Sequence, residues 1–343
     1  MGICISSASL ENQEIVIEGY ENVVFVDKRL CSNGIPKLAS IHSQQGKKGP
    51  NQDSAIICQG YGMEGGVFCG VFDGHGRNGH IVSRLVRDRL PWLVLNQRNA
   101  IASLNHITND DYGDVNESLD GDLVSSKIFD GWKEACHSAF KAMDKELKLH
   151  EKLDSTCSGT TAVAIIKQDE DLIIANLGDS RAILGTMSDE SALIAVPLTT
   201  DLKPSLPEEA ERITKANGRI FALREEPSVQ RVWLPDDDFP GLAMARAFGD
   251  FRLKNYGIIA TPQITHHRIS SNDQFLVLAT DGVWDVLSNI QVASIVWSAK
   301  SEEAAARMVV DAAVLAWQHK FPSSRVDDCS AVCLFLQERR QQQ

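Results

Sequence analysis

Short apolar runs along the chain separate into two kinds by period. Residues 54–58, 67–72, 161–166, 172–176, 181–184, 193–197, 275–279 and 329–336 are nearly continuous runs and read as strands covered on both faces. Ile81, Val82, Leu85, Val86 and Leu90 instead recur at helical spacing. A second helix is expected over 127–150, with Phe129, Trp132, Cys136, Phe140, Met143 and Leu147 on one face, a core stripe. The runs at 161–166, 172–176 and 181–184 are joined by too few residues for a parallel crossover, so they predict an antiparallel meander, continued by 193–197. A short helix over 204–217, stopped by Gly218, and a longer pattern over 290–318, interrupted near 298–301, complete the elements. The class expected is α+β: two antiparallel sheets packed face to face, with helices on both outer faces.

The remaining segments carry little period. Residues 1–38 read as a tether, 96–126 as a polar surface insertion, 221–241 as a proline-rich acidic flap beside a site, and 338–343 as a polar tail. The domain proper is thus expected over 39–337.

Composition narrows the partners. At 343 residues the chain can bury a full core, and 43% apolar with 23% charged residues is ordinary for a globular protein. A net charge of −12 with no basic block argues against nucleic acid. The eight cysteines form no CxxC pair and mostly sit in apolar runs, which suits a reducing compartment. No apolar run approaches the roughly 20 residues of a membrane span. Nothing specifies an oligomer, so a monomer is expected.

The candidate chemistry centres on Val71-Phe72-Asp73-Gly74-His75-Gly76-Arg77-Asn78-Gly79, an apolar run that ends in an acid. Gly74, Gly76 and Gly79 match the spacing of a dinucleotide-binding loop, but that reading needs an acid about twenty residues on, and only Asn96, Gln97 and Arg98 lie near there. The competing pattern is stronger. Apolar runs also end in Asp179 and Asp281, and carboxylates gathered at strand ends suit hard cations.

With Ser158-Gly159-Thr160-Thr161, Gly178-Asp179-Ser180-Arg181, Asp201-Leu202-Lys203-Pro204, Ala245-Arg246-Ala247-Phe248-Gly249-Asp250 and Ala279-Thr280-Asp281-Gly282-Val283-Trp284-Asp285, the chain resembles the metal-dependent serine/threonine phosphatases of type 2C from about Ala39 to Leu336. Its N-terminus and Lys48-Gly49-Pro50-Asn51-Gln52-Asp53 look like the plant branch with acylated members. The resemblance implies a two-metal centre of Mg²⁺ or Mn²⁺ acting on phosphorylated proteins, with direct attack of an activated water on phosphorus and no phosphoenzyme. Asp73 would bridge both ions, the Gly74 carbonyl would bind one, and Asp53 would act through water. Asp281 and the pair Asp327-Asp328 complete the carboxylates, Asp327 aligning better as ligand. Asp179 and Asp285 match the place of a looser third ion. His75 would protonate the leaving oxygen. Arg246 and Asp250 belong to a motif that could simply hold the fold.

The chain departs from that pattern at two positions. Lys48 stands where an arginine usually grips the substrate phosphate, and Gln52 where a glutamate is usual. Lysine keeps the charge but loses the two-pronged geometry. These departures motivate an alternative, a pseudophosphatase or adaptor that keeps the fold and binds signalling partners. Gly2 with Ser6 is a myristoylation pattern, and Cys4 offers a palmitoylation site. Two acyl chains would hold the protein on the cytoplasmic face of a membrane, the plasma membrane first among candidates; without them the cytosol or nucleus is expected.

Overall fold

A computed structural model describes residues 16–20, 22–27, 38–109, 121–322 and 325–337. Strands β1 (Val16–Tyr20), β2 (Val23–Asp27), β3 (Ala39–Gln44), β4 (Asp53–Gln59) and β5 (Val67–His75) precede two long helices, α1 (Gly79–Asn109) and α2 (Gly121–Leu149). Strands β6 (Gly159–Thr160), β7 (Ala162–Gln168), β8 (Asp171–Leu177), β9 (Arg181–Met187) and β10 (Leu193–Pro197) follow, then α3 (Pro207–Lys215). Next come β11 (Arg219–Ala222), β12 (Gln230–Trp233), β13 (Pro240–Leu242), β14 (Phe248–Gly249), β15 (Gln263–Arg268) and β16 (Asp273–Ala279). The chain closes with α4 (Asp281–Trp284), α5 (Asn289–Ser298), α6 (Glu302–Lys320) and β17 (Cys329–Phe335).

These elements build the expected four layers. One sheet runs β1-β2-β4-β5-β7-β8-β15, with β6 and β14 attached at the end of β5; the other runs β10-β9-β16-β17-β3. Strand alternation sorts the side chains between layers. Phe68 and Phe72 of β5 face α1 and α2, while Cys69 and Val71 face the second sheet. Phe275, Val277 and Ala279 of β16 face α5 and α6, while Leu276 and Leu278 meet the first sheet. Both faces of each sheet are therefore dry, which is why the runs lack polar alternation. The stripe of α2 lies in this core, from Trp132 to Leu147, with Phe129 at its edge.

The structure corrects several expectations. Residues 16–27 contain a hairpin that extends the first sheet, with β2 parallel to β4. Its turn residue Asn22 donates from Nδ2 to the carbonyls of Asp53 (2.7 Å) and Asn51 (3.2 Å), so this part of the N-terminal segment is docked. Helix α1 continues to Asn109 and α2 begins at Gly121, so much of 96–126 is helical. Residues 1–15, 110–120 and 338–343, including Gly2 and Cys4, lie outside the described residues. β7 and β8 pair antiparallel as expected, but β8 and β9 belong to different sheets: the chain crosses between layers at Gly178-Asp179-Ser180. The left-handed residue ending α3 is Asn217 (φ 60°), and Gly218 follows it, donating to the Ile213 carbonyl at 2.9 Å. The flap is a small antiparallel sheet, β11-β12-β13, with Phe221 stacked on Trp233 at 4.8 Å.

Phe275 is fully buried, and Gly185 on the paired strand leaves room for its ring, since a Cβ there would sit 2.3 Å from it. Phe275→Ala is expected to cost about 3–5 kcal/mol of unfolding free energy, read by urea denaturation. A loss below about 1 kcal/mol would contradict this packing.

Candidate metal centre and active site

Every acid singled out by sequence sits at one end of the sandwich. Antiparallel pairing sets Asp53, at the start of β4, across from Asp73 near the end of β5. Asp179 lies at the crossing from β8 to β9, Asp281 opens α4 just past β16, and Asp327 and Asp328 precede β17. Because β16 pairs with both β9 and β17, the acids of the second sheet are carried to the same edge.

Their surroundings differ. Asp53 is buried and accepts a 2.7 Å hydrogen bond from the Thr280 hydroxyl. Burial, and then the neighbouring Asp328 and Asp327, push its carboxyl up to about 8. Asp73 and Asp281 are both driven well above the ordinary range, first by desolvation and then by nearby carboxylates. After burial, the Asp281 carboxylate is the strongest influence raising Asp73, so the two groups lie close to each other. Asp179 is buried, and desolvation raises it against the opposing pull of Lys203, whose Nζ stands 3.9 Å from Oδ2. Its Oδ1 is covered and has no hydrogen-bond partner among the described residues. Asp285 lies at the exposed rim, where desolvation also moves its carboxyl up and Lys203 opposes.

Asp327 and Asp328 separate cleanly. Asp328 accepts the backbone N–H of Gly46 on Oδ1 at 2.7 Å and that of Gln52 on Oδ2 at 2.8 Å, so both oxygens pin the 46–52 loop. Asp327 instead faces the cluster and pairs with the Lys48 ammonium. This geometry favours Asp327 over Asp328 as a metal-facing donor. It also puts Lys48 on a carboxylate, whereas the sequence reading has it on substrate phosphate.

The Gly74 backbone is wedged against Gln52 and Gly79, where a Cβ would fall 2.5 Å and 2.4 Å from their carbonyl oxygens. Gly76 follows with φ 79°, turning the chain from β5 into α1. β5 is flanked by antiparallel neighbours, so the glycine spacing does not belong to a nucleotide-binding crossover. Gln52 donates from Nε2 to the Gly76 carbonyl at 2.7 Å, bracing that turn.

Between the two glycines stands His75, whose Nε2 lies 2.6 Å from Oδ2 of Asp250. Burial pulls the imidazole down in pKa, but the Asp250 carboxylate outweighs it and the net direction is upward. Sequence reading left Arg246 and Asp250 together as fold-holders, and the structure divides them. Arg246 grips the buried Glu209 of α3, with Nη2 2.6 Å from Oε1, whereas Asp250 belongs to the site. Lys203, Thr280 and Asn22 also went unrecognised as neighbours of the acids, although Lys203 and Thr280 lie inside quoted motifs, Thr280 directly before Asp281.

All the donors here are oxygens, which suits a hard divalent cation. As placed, no group of three Asp, Glu, His or Cys side chains among the described residues closes into a cage. The fit therefore rests on the donor chemistry, the close pair Asp73 and Asp281, and the unpartnered buried oxygen of Asp179.

Comparison with known proteins agrees with this geometry. Residues 43–317 match the family model described as protein phosphatase 2C. "Probable protein phosphatase 2C 12" of Oryza sativa subsp. japonica is 54% identical over 361 residues, covering 98% of this chain and 92% of that protein. "Probable protein phosphatase 2C 72" of Arabidopsis thaliana is 47% identical, covering 99% of each. The crystal structure of serine-threonine phosphatase 2C from Toxoplasma gondii superposes with a TM-score of 0.73 at 27% identity, covering 87% of this chain and 94% of that one. The chain belongs to the protein phosphatase 2C family of metal-dependent serine/threonine phosphatases.

Proposed function

We propose that this chain removes phosphate from phosphoserine and phosphothreonine of proteins at the carboxylate end of its sandwich, with two Mg²⁺ or Mn²⁺ ions held there. The observation that carries the reading is Asp73 close to Asp281 beside His75, at the end where Asp53, Asp179 and Asp327 converge. Asp73, Asp281, Asp327 and the Gly74 carbonyl would hold the ions, Asp53 would act through water, and Asp179 with Asp285 would take a looser third. Bound there, such ions supply Lewis acidity and a strong nucleophile at neutral pH.

The chain's own residues do the rest. Lys48 carries positive charge for the substrate phosphate, and its single ammonium binds less selectively than an arginine fork. His75 holds a proton on its ring and passes it to the serine or threonine oxygen as the phosphorus–oxygen bond breaks, leaving a neutral hydroxyl and inorganic phosphate. Asp328 and Gln52 hold the loops in register and take no part in bond breaking.

The proposal includes lipid attachment through Gly2 and Cys4. A single acyl chain binds a membrane marginally and two bind stably, so both sites acting together would place the enzyme on the cytoplasmic face of the plasma membrane.

Mass spectrometry of the protein from a eukaryotic host is expected to show Gly2 acylated; a free or acetylated amine there removes the membrane part of the reading. Hydrolysis of a phosphothreonine peptide is expected with Mn²⁺ or Mg²⁺ and to vanish with EDTA or in Asp73→Ala. Turnover persisting in either control, or absent from well-folded metal-loaded protein, overturns the enzymatic reading. His75→Gln is expected to slow the peptide at least ~10-fold more than p-nitrophenyl phosphate, whose leaving group needs no proton.

The raised acids also give a stability signature. A carboxyl moved from 3.8 to about 8 in the folded state, as at Asp53, binds more protons folded than unfolded between those values, so stability falls as pH rises across that window. Metal-free protein is therefore expected to melt higher at pH 5 than at pH 8, and Mn²⁺ to raise the melting temperature more at pH 8. Differential scanning calorimetry with and without chelator checks both signs.

A further inference from the structure

We infer that Asp250 is a positioning residue for the proton transfer: it fixes the ring plane and tautomer of His75 and acts on the reaction only through that ring. The inference rests on the proposed role of His75 and deepens it. His75 Nε2 and Asp250 Oδ2 meet at 2.6 Å, and the Asp250 side chain is only 2% exposed. A histidine ring nitrogen held by a carboxylate carries its proton toward that carboxylate, which defines the state of the other nitrogen. The other nitrogen, Nδ1, is buried without a partner among the described residues, so it is the atom left to carry the transferred proton, and the ring is oriented from the Asp250 side.

The surroundings are built to keep the pair together. Asp250 adopts a left-handed backbone (φ 50°), uncommon for a residue other than glycine, directly after the short pairing of β14 with β6. Its N–H donates to the Ser158 carbonyl at 3.1 Å, and its own carbonyl accepts from Leu253 N–H at 2.8 Å. One residue earlier, the Gly249 N–H donates to Asp144 Oδ1 of α2 at 2.9 Å, and Lys254 Nζ donates to the same Oδ1 at 3.1 Å. Lys254 also reaches the Ala247 carbonyl at 2.8 Å, closing a brace beneath the loop. Against the pair itself, β6 packs the buried Gly159. A Cβ there would lie 2.3 Å from Asp250 Oδ2 and 2.8 Å from His75 Nε2, so any larger residue would wedge the two apart. Buried, braced from α2 and left room by a glycine, Asp250 has the attributes of a group held for one contact. Arg246, in the same motif, shows the contrast: its partners are Glu209 and the Thr261 carbonyl, away from the ring.

Asp250→Asn preserves shape, and asparagine tolerates the left-handed backbone, but it removes the negative charge that holds a proton on Nε2, and its amide can present nitrogen as well as oxygen to the ring. The test is a double-mutant cycle of Asp250→Asn and His75→Gln in full-length, metal-loaded enzyme, assayed on a phosphothreonine peptide and on p-nitrophenyl phosphate. Asp250→Asn alone is expected to slow the peptide about 10-fold or more, with a markedly smaller loss on p-nitrophenyl phosphate. In the His75→Gln background it is expected to cost less than about 2-fold on the peptide. Mn²⁺ affinity by calorimetry and the circular dichroism spectrum are expected to match wild type. Equal losses on both substrates, full additivity in the cycle, or weakened Mn²⁺ binding would each overturn the inference, the last by placing Asp250 in the metal centre. If His75→Gln itself shows no leaving-group selectivity, the proton-donor reading of His75 fails first; if it does and Asp250→Asn does not, the failure belongs to Asp250 alone.

Discussion

Like charges repel most strongly where water is scarce, and this fold drives carboxylates from both sheets into one such corner. The paired strands decide where the acids go: Asp53 and Asp73 are cross-strand neighbours, and Asp281 and Asp327 flank another paired edge. Desolvation and mutual repulsion then raise Asp53, Asp73 and Asp281 together. The strain is tolerated because the strands behind it are buried on both faces, so the hydrophobic layers hold the acids where electrostatics alone would part them.

How each acid is relieved tells what it is for. Asp328 spends both oxygens on backbone N–H groups and so belongs to the scaffold. Asp53 has a hydroxyl from Thr280, Asp327 the ammonium of Lys48, and Asp179 its own backbone N–H and a distant Lys203, with Oδ1 unpaired among the described residues. The less a buried carboxylate is compensated, the more it gains when a cation arrives. The two lysines are exchangeable partners, since an ammonium on a long stem can move aside at small cost.

Much of this was legible in the chain. Strands that end abruptly in an acid announce a site because the hydrophobic run and the carboxylate are adjacent letters, and the motif order around Asp73, Asp179 and Asp281 carries the family. What escaped has physical reasons. In the hairpin at 16–27 the run Val23-Val24-Phe25-Val26 of β2 did carry a strand signal, whereas its edge partner β1, Val16-Ile17-Glu18-Gly19-Tyr20, lacks a continuous run. Helices α1 and α2 extend into 96–126 with little apolar stripe, and period detects only faces that are buried. The link from β8 to β9 is short enough for a hairpin, and only the sandwich shows that it changes sheets instead. The contact of His75 with Asp250 spans 175 positions, a separation that no local pattern encodes.

Gln52 shows how a departure from the family pattern can be absorbed by the same electrostatics. A glutamate at that position would add negative charge beside Asp53 and Asp328, both already raised by burial. The neutral amide adds none, and it donates to the Gly76 carbonyl, which an ionised carboxylate cannot do. That bond braces the turn immediately after His75, while the Gln52 backbone N–H is held by Asp328 and its carbonyl accepts from Gly74 and from the Ser83 hydroxyl. The residue thus ties the loop before β4 to the strand end that carries Asp73, Gly74 and His75. Glutamine here relocates the contribution of the position from charge to geometry, so its presence does not by itself argue for an inactive fold.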